Sequence, residues 1–257
     1  MSKKIDRTGE VSYTKYGTPA IIVEYKSNKE IIVEFQDEYK YRHKTSYLNF
    51  KNCKMDNPYD KTVYGIGFMG VGAYNSKDHK LAHKKWKSMM CRCINRNDNY
   101  KSSSYEKCSI CEEWLNFQNF AQWFCSELYQ VAHEPLCVDK DILFHDNTTY
   151  SPTTCLLVPQ RINLLFIKAK SRRSYNLIGF SYDERKNKYF AQLSFKDKIS
   201  GKSKTKNLGL YNTQSEAFMA YKKAKEQYIR NVADEYKDVI PKKVYDALYN
   251  YEVLITD

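Results

Sequence analysis

Gly179-Phe-Ser-Tyr-Asp-Glu-Arg-Lys-Asn-Lys-Tyr-Phe-Ala-Gln-Leu193 is the stretch on which the fold turns. Strand formers fill residues 177–182 and 189–195, and the polar run 183–188 between them reads as a turn. Residues 204–210 supply a third strand. Residues 214–234 then switch to helical spacing, with Ala217, Phe218, Ala220, Tyr221, Ala224, Tyr228 and Ile229 on the inward stripe. Thr213 is placed to cap that helix, with Glu216 three residues on as the partner of a capping box. The expected unit is a three-stranded antiparallel sheet packed on one helix, followed by a shorter helical stretch at 242–251.

Charge singles out the same region. The chain has 257 residues, with 42 Lys and Arg against 30 Asp and Glu. Residues 168–230 hold 16 basic and 5 acidic side chains, a net of +11 out of the whole chain's +12. A localised basic surface is the electrostatic footprint of a polyanion binder. The other reading of the same charge is a solvated, soluble domain. Within the segment, Lys170, Arg172 and Arg173 form a basic connector that either follows a phosphate backbone or is an exposed loop. Ser181, Tyr182, Arg185, Lys188, Tyr189, Gln192, Lys204 and Lys206 are expected on the exposed face of the sheet.

The landmarks Gly179 to Leu193, Asn207-Leu-Gly-Leu-Tyr-Asn-Thr213, Glu216-Ala217, Ala220-Tyr221 and Ala224 resemble, in order and over about 50 residues, an Apetala-type DNA-binding domain of the plant ethylene-response-factor fold. The resemblance implies a sheet that enters the major groove of double-stranded DNA and reads it with Arg, Lys and aromatic side chains. Ser181 stands where that family often has Arg, and Tyr189 where it often has Trp. Loss of an Arg able to pair with guanine removes about 1–3 kcal/mol of discrimination at that position.

Upstream, Val138-Asp-Lys-Asp-Ile-Leu143, Asn147, Tyr150-Ser-Pro152, Cys155, Val158-Pro159 and Ile162-Asn163 follow Cys108-Ser-Ile-Cys111-Glu-Glu-Trp114 and Phe117-Gln-Asn-Phe120. Residues 138–143 read as a strand, the Tyr150-Ser-Pro152 stretch as a turn, and residues 154–166 as a strand running into a helix. Over residues 80–165 this pattern resembles phage-encoded proteins related to HNH endonucleases. What that implies is a ββα-metal module. In it Asp139 is the metal carboxylate, Asn147 the central loop Asn that orients the general base, and Asn163 the last ligand, with Mg²⁺ or Mn²⁺ as cofactor. Asp141 is a candidate second metal carboxylate. The position of the catalytic His holds Lys140, and a protonated Lys accepts no proton near neutral pH unless burial lowers its pKa by several units. His145 is the nearby imidazole that would serve as base if the loop folds back. An HNH-type module followed by an Apetala-type domain implies a phage homing-endonuclease type of protein. The rival is a non-cleaving regulator or counter-defence protein on the same fold, binding DNA or RNA. A third class is a protein partner masked by the chain.

The remaining regions carry weaker signals. Residues 20–26 and 30–36 read as a hairpin around Ser27-Asn28-Lys29, and 39–50 continue with alternating aromatic and basic residues. Three to five short strands in 1–68 suit a small, half-open β barrel, for nucleic-acid contact or as a protein-contact or spacer element. Residues 80–93 are expected to be helical, with Leu81, Trp86, Met89, Met90 and Cys93 on one face. A second helix is expected over 114–130, with Trp114, Phe117, Phe120, Ala121, Phe124 and Leu128 as its stripe.

There are 8 cysteines. Cys108-x-x-Cys111 has zinc-knuckle spacing, and Cys91-x-Cys93 would complete a structural Zn²⁺ site, although a one-residue gap is short for a ligand pair. The other reading is core thiols, as for Cys137 and Cys155. Residues 1–9 carry no apolar signal core and no apolar run is long enough to span a bilayer. The expectation is therefore no membrane and a reducing cytoplasm, the host's if the chain is phage-encoded. The fold class expected is α+β in three parts: a small β barrel (1–68), an HNH-like ββα-metal module (69–167) and an Apetala-type domain with a helical tail (168–257).

Overall fold

A computed structural model of the chain describes residues 5–94, 108–166, 178–196 and 202–255. These fall into two compact units, one within residues 1–95 and 110–126, the other within 96–109 and 127–257. The class is mixed α and β, with several small sheets.

The first unit begins with four antiparallel strands in sequence order: β1 (Val11–Tyr13), β2 (Pro19–Ser27), β3 (Glu30–Phe35) and β4 (Arg42–Thr45). The hairpin expected around Asn28 is there, with Ser27 paired to Glu30 across a two-residue turn. Alternation decides its inner face: Ala20, Ile22, Ile31, Val33 and Phe35 are buried together with Phe50 and Met55. Among the described residues the four strands form one open sheet, not a closed barrel. Closure would require first and last strands to bond each other. Instead β4 stops at Thr45, because the Ser46 hydroxyl accepts the Asn49 N–H and starts helix α1 (Tyr47–Lys51). Phe50 of that helix then fills the open end of the core.

Helix α2 (Lys80–Ile94) packs on α3 (Phe117–Ser126). Trp86 donates its indole N–H to the Trp114 carbonyl at 2.7 Å. Ala82, Trp86, Met89 and Met90 are buried against Trp114, Phe117, Phe120, Ala121 and Phe124. Two stripe residues do not join them. Leu81 is exposed because it lies five residues before Trp86, roughly 140° round the helix. Leu128 is exposed because α3 has already ended at Ser126. The expected single helix over 114–130 is two elements: a 3₁₀ turn (Glu112–Leu115), then α3, which starts where the Asn116 side chain accepts the Gln118 N–H.

The short strand β5 (Ser109–Ile110) falls at the boundary, and its Ser109, in the second unit, donates its N–H to the Thr148 carbonyl. Next come β6 (Leu136–Asp139), β7 (Thr149–Tyr150), β8 (Leu156–Pro159) and helix α4 (Gln160–Asn163). β6 and β8 pair antiparallel, Asp139 opposite Leu156, and α4 follows at once: a strand, a long turn, a strand and a helix. The sheet β11-β10-β9 is antiparallel, built from β9 (Phe180–Asp183), β10 (Lys188–Lys196) and β11 (Ser203–Tyr211). Helix α5 (Gln214–Tyr236) lies against it, opened by the complete Thr213–Glu216 capping box, and α6 (Lys242–Tyr249) packs on α5.

One hydrophobic core runs through this unit. It joins Ile142, Leu156, Val158 and Ile162 of the strand–turn–strand–helix to Leu193 of the sheet and to Tyr221, Ile229 and Val232 of α5. The Arg161–Glu235 ion pair at 2.6 Å and the Tyr236–Glu134 hydrogen bond tie the same two parts together. No helix among the described residues is long and apolar enough to cross a membrane.

Candidate functional site

The turn between β6 and β8 is held from inside. Asp139 Oδ1 accepts the backbone N–H groups of Asp141 and Ile142, both at 2.9 Å. That cap bends the chain, so the strand expected over 138–143 ends at Asp139. Asn147 braces the other side. Its amide donates to the carbonyls of Lys140 (2.7 Å) and Thr149 (2.9 Å), and its oxygen accepts the Thr149 N–H (3.1 Å). Lys140 is buried, and its ammonium donates to Asp141 Oδ1 at 2.6 Å and to the Asn147 carbonyl at 2.8 Å. It also lies 5.9 Å from the centre of the Tyr150 ring.

These contacts set the protonation states. Burial pushes the Asp139 carboxyl up to about 6, against the backbone N–H groups that favour its charged form. Burial also works to lower the Lys140 pKa, but the Asp141 carboxylate outweighs it and holds the ammonium above the ordinary lysine value. Residue 140 is therefore a fixed cation at neutral pH, with no lone pair for a proton.

The other sequence candidates lie on several different elements. His145 is exposed in the turn, its ring 4.9 Å from that of Tyr251. Asn163 is the half-buried last residue of α4. Cys91 and Cys93 lie on α2, Cys108 just before β5 and Cys111 at the start of the 3₁₀ turn, all half-buried. Cys155 is buried, its thiol pushed up to about 12 by that burial, while Cys137 is half-buried. Among the described residues no three His, Cys, Asp or Glu side chains gather closely enough to share a metal ion. Lys170, Arg172 and Arg173 lie outside the described residues.

Strand register sorts the expected reading residues onto two sides of the β9–β11 sheet. Residues directly opposite across strands share a face. Phe180, Ala191 and Leu193 are buried toward α5, so their parity defines the inner side. Ser181 pairs with Phe190, which pairs with Leu210; Gln192 faces Asn207 and Ser194 faces Thr205. This set forms the outward face. Of the expected residues, Ser181 and Gln192 belong to it, and Lys188 stands at its margin.

Tyr182 and Tyr189 have the opposite parity: they face each other with rings 5.1 Å apart, and Tyr189 packs on the Phe180–Ala191–Ala217 cluster. Lys204 and Lys206 pair with Phe195 and Leu193, so they emerge at the exposed margin of the inner side. Arg185 is exposed in the β9–β10 turn. Phe190, Ser194, Thr205, Asn207 and Leu210 were missed. Counting by twos from Ala191 finds Phe190 and Ser194. The β11 residues needed one more fact, a bulge. Leu208 is the extra residue there and drops into the core, while Gly209 at φ +122° gives its N–H to Asn207 Oδ1 at 2.8 Å.

No family model, no curated protein and no solved structure matches the chain.

Proposed function

We propose that this chain binds double-stranded DNA through the outward face of β9–β11, and that its β6–β8–α4 turn is an HNH-like scaffold that does not cleave. The observation that carries the second half is the Lys140 ammonium, fixed between Asp141 and the Asn147 carbonyl at the position that a catalytic His holds in the family resembled. The HNH resemblance assigns the central Asn the task of orienting that residue. The Asn147 backbone carbonyl does hold the side chain of residue 140, but what it accepts from is an ammonium that is already protonated.

A divalent cation is poorly served by this donor set, since the Asp139 and Asp141 oxygens that bond within the turn leave each carboxylate one oxygen at most. Mg²⁺ or Mn²⁺ requires free oxygen ligands. Asp139 Oδ1 is spent on two N–H groups and Asn147 Oδ1 on a third, with an ammonium beside them. A metal-dependent cut would need the turn to open.

The binding half is supported by the sheet. Ser181, Gln192, Asn207 and Thr205 project outward from a small, rigid platform, with Lys188, Lys196 and the β9–β10 turn around them, in the segment with nearly all of the excess charge. Phosphate-bound lysines would give affinity, and the neutral amides and hydroxyls would meet base edges.

Binding and cleavage are tested on one substrate. Duplex DNA should be retained at 0.1 M salt and released as salt rises, with no nicking in Mg²⁺ or Mn²⁺. Nicking that disappears in Asp139→Ala would restore the nuclease reading. Preference for RNA, or no affinity for any oligonucleotide, would overturn the DNA reading, and in the second case favour a protein partner.

A further inference from the structure

Helix α2 belongs to the first unit and has a charge pattern that no other long helix of the described residues shows. Between Lys80 and Ile94 it carries Lys80, Lys84, Lys85, Lys87 and Arg92 and not one Asp or Glu. Its inner face is taken by Ala82, Trp86, Met89 and Met90. Lys80, Lys84 and Lys87 are exposed and sit at i, i+4 and i+7, within roughly 60° of one another around the axis. Lys84 stands four residues after Lys80 and three before Lys87, the two spacings at which like charges on a helix repel and destabilise it.

The contrast is α5. It carries Lys222, Lys223, Lys225 and Arg230 among Glu216, Glu226, Asp234 and Glu235, and uses them in pairs, Lys222–Glu226 at 3.0 Å and Glu235 with Arg161 at 2.6 Å. α6 does the same with Lys242 and Asp246. These are solvated faces that neutralise themselves. Lys80, Lys84 and Lys87 make no ion pair with a described residue, although the helix accepts the repulsion of gathering them.

We infer that the outer face of α2 is a second phosphate-binding surface, which lies along the backbone of duplex DNA through Lys80, Lys84 and Lys87. The inference rests on the DNA-binding reading above. A like-charged stripe with no internal counter-charge is complementary to a polyphosphate, whose condensed cations it would displace. Seven residues of helix cover about 10 Å, which spans roughly three phosphates of one strand at 3.4 Å of axial rise. The three exposed groups are ammoniums, which meet phosphates as point charges, so their contribution is affinity without sequence preference.

The test uses the full chain and a 30-base-pair duplex, with binding followed by anisotropy from 0.05 to 0.3 M salt. The triple substitution Lys80→Gln, Lys84→Gln, Lys87→Gln should lower the slope of log K against log salt by about 2–3 and weaken binding at 0.1 M by at least about tenfold. A control of equal charge loss in the same unit, Lys51→Gln, Lys54→Gln, Lys61→Gln, should leave the slope within about 0.5 of the wild type. The triple Lys→Arg variant of α2 should keep wild-type binding, and Gln, a good helix former, should keep the helical circular dichroism. If wild type binds and the α2 and control variants behave alike, the α2 surface is refuted while the sheet reading stands. If wild type ignores duplex DNA, both fail. A loss confined to single-stranded RNA would also refute the duplex assignment.

Discussion

The β6–β8 turn and the outward face of β9–β11 belong to one unit and share one core, yet they use polar side chains in opposite directions. In the turn, Asp139, Lys140 and Asn147 spend their side chains on hydrogen bonds within the turn. On the sheet, Ser181 and Gln192 point away from the core and close no loop of their own. A polar group that completes a fold is measured by what its removal does to stability, and a polar group kept for a ligand by what its removal does to affinity. The two regions should separate on those axes.

The largest effect belongs to Asn147→Ala. It strips three hydrogen bonds and leaves the Lys140 carbonyl and the Thr149 N–H without a partner, while the Thr149 carbonyl keeps the Thr154 hydroxyl, so roughly 2–3 kcal/mol of stability should go, read from urea unfolding. DNA affinity, measured where the variant is still folded, should stay within about twofold. A large loss of affinity with little loss of stability would break the comparison, since it would put the turn on the DNA.

Next in size is Asp139, through pH. Its carboxyl is raised from 3.8 to about 6 in the folded chain. Below about pH 4 it is protonated in both states. Between about 4 and 6 the folded chain keeps a proton that the unfolded chain has lost, so this group's contribution to stability falls as pH rises and levels off above the folded pKa. Two units correspond to roughly 3 kcal/mol at most. Asp139→Asn, still able to accept both N–H groups, should lose that dependence. Its stability relative to wild type should rise by about 2 kcal/mol between pH 4 and pH 7.5. A flat difference across that range would mean that the carboxyl ionises freely.

Lys140→Met should cost about 1–2 kcal/mol, because Asp141 remains partly in water while the Asn147 carbonyl loses a donor. The substitution should confer no cleavage. Lys140→His places an imidazole in the same seat and sharpens the question further: nicking in Mg²⁺ by this variant alone would show that the site lacks only its base.

The fold was legible wherever one face of an element was apolar over its whole length. Ala20 to Phe35 and the long helix from Gln214 announce themselves by period, and Thr213 with Glu216 marks the helix start to the residue. Local side-chain chemistry overruled the pattern elsewhere. Ser46 cut the fourth strand short at Thr45 and opened a helix in its place. Asp139 ended a strand four residues early by bonding forward to its own backbone. For the site, the sequence placed Lys140 and Asn147 together but not their direct bond. It also put eight reading residues on one face, whereas parity divides them. The bulge at Leu208 and Gly209 changes the count along β11, and no composition rule locates a bulge.

The smallest effect separates the two sides of that sheet. Gln192→Ala removes an outward amide with both donor and acceptor available, and should weaken binding to a preferred duplex by about 1–2 kcal/mol while barely changing affinity for a mixed-sequence competitor. Stability should stay within about 0.5 kcal/mol, as for other exposed substitutions. Lys206→Ala, at the margin of the inner side opposite Leu193, should do the reverse. It should weaken both duplexes equally and lower the salt slope by at most about 1, because a lysine there reaches phosphates rather than bases. If Lys206 proves to carry the sequence preference and Gln192 does not, the register has been read from the wrong side and DNA lies against the flank of α5 instead of on the open face.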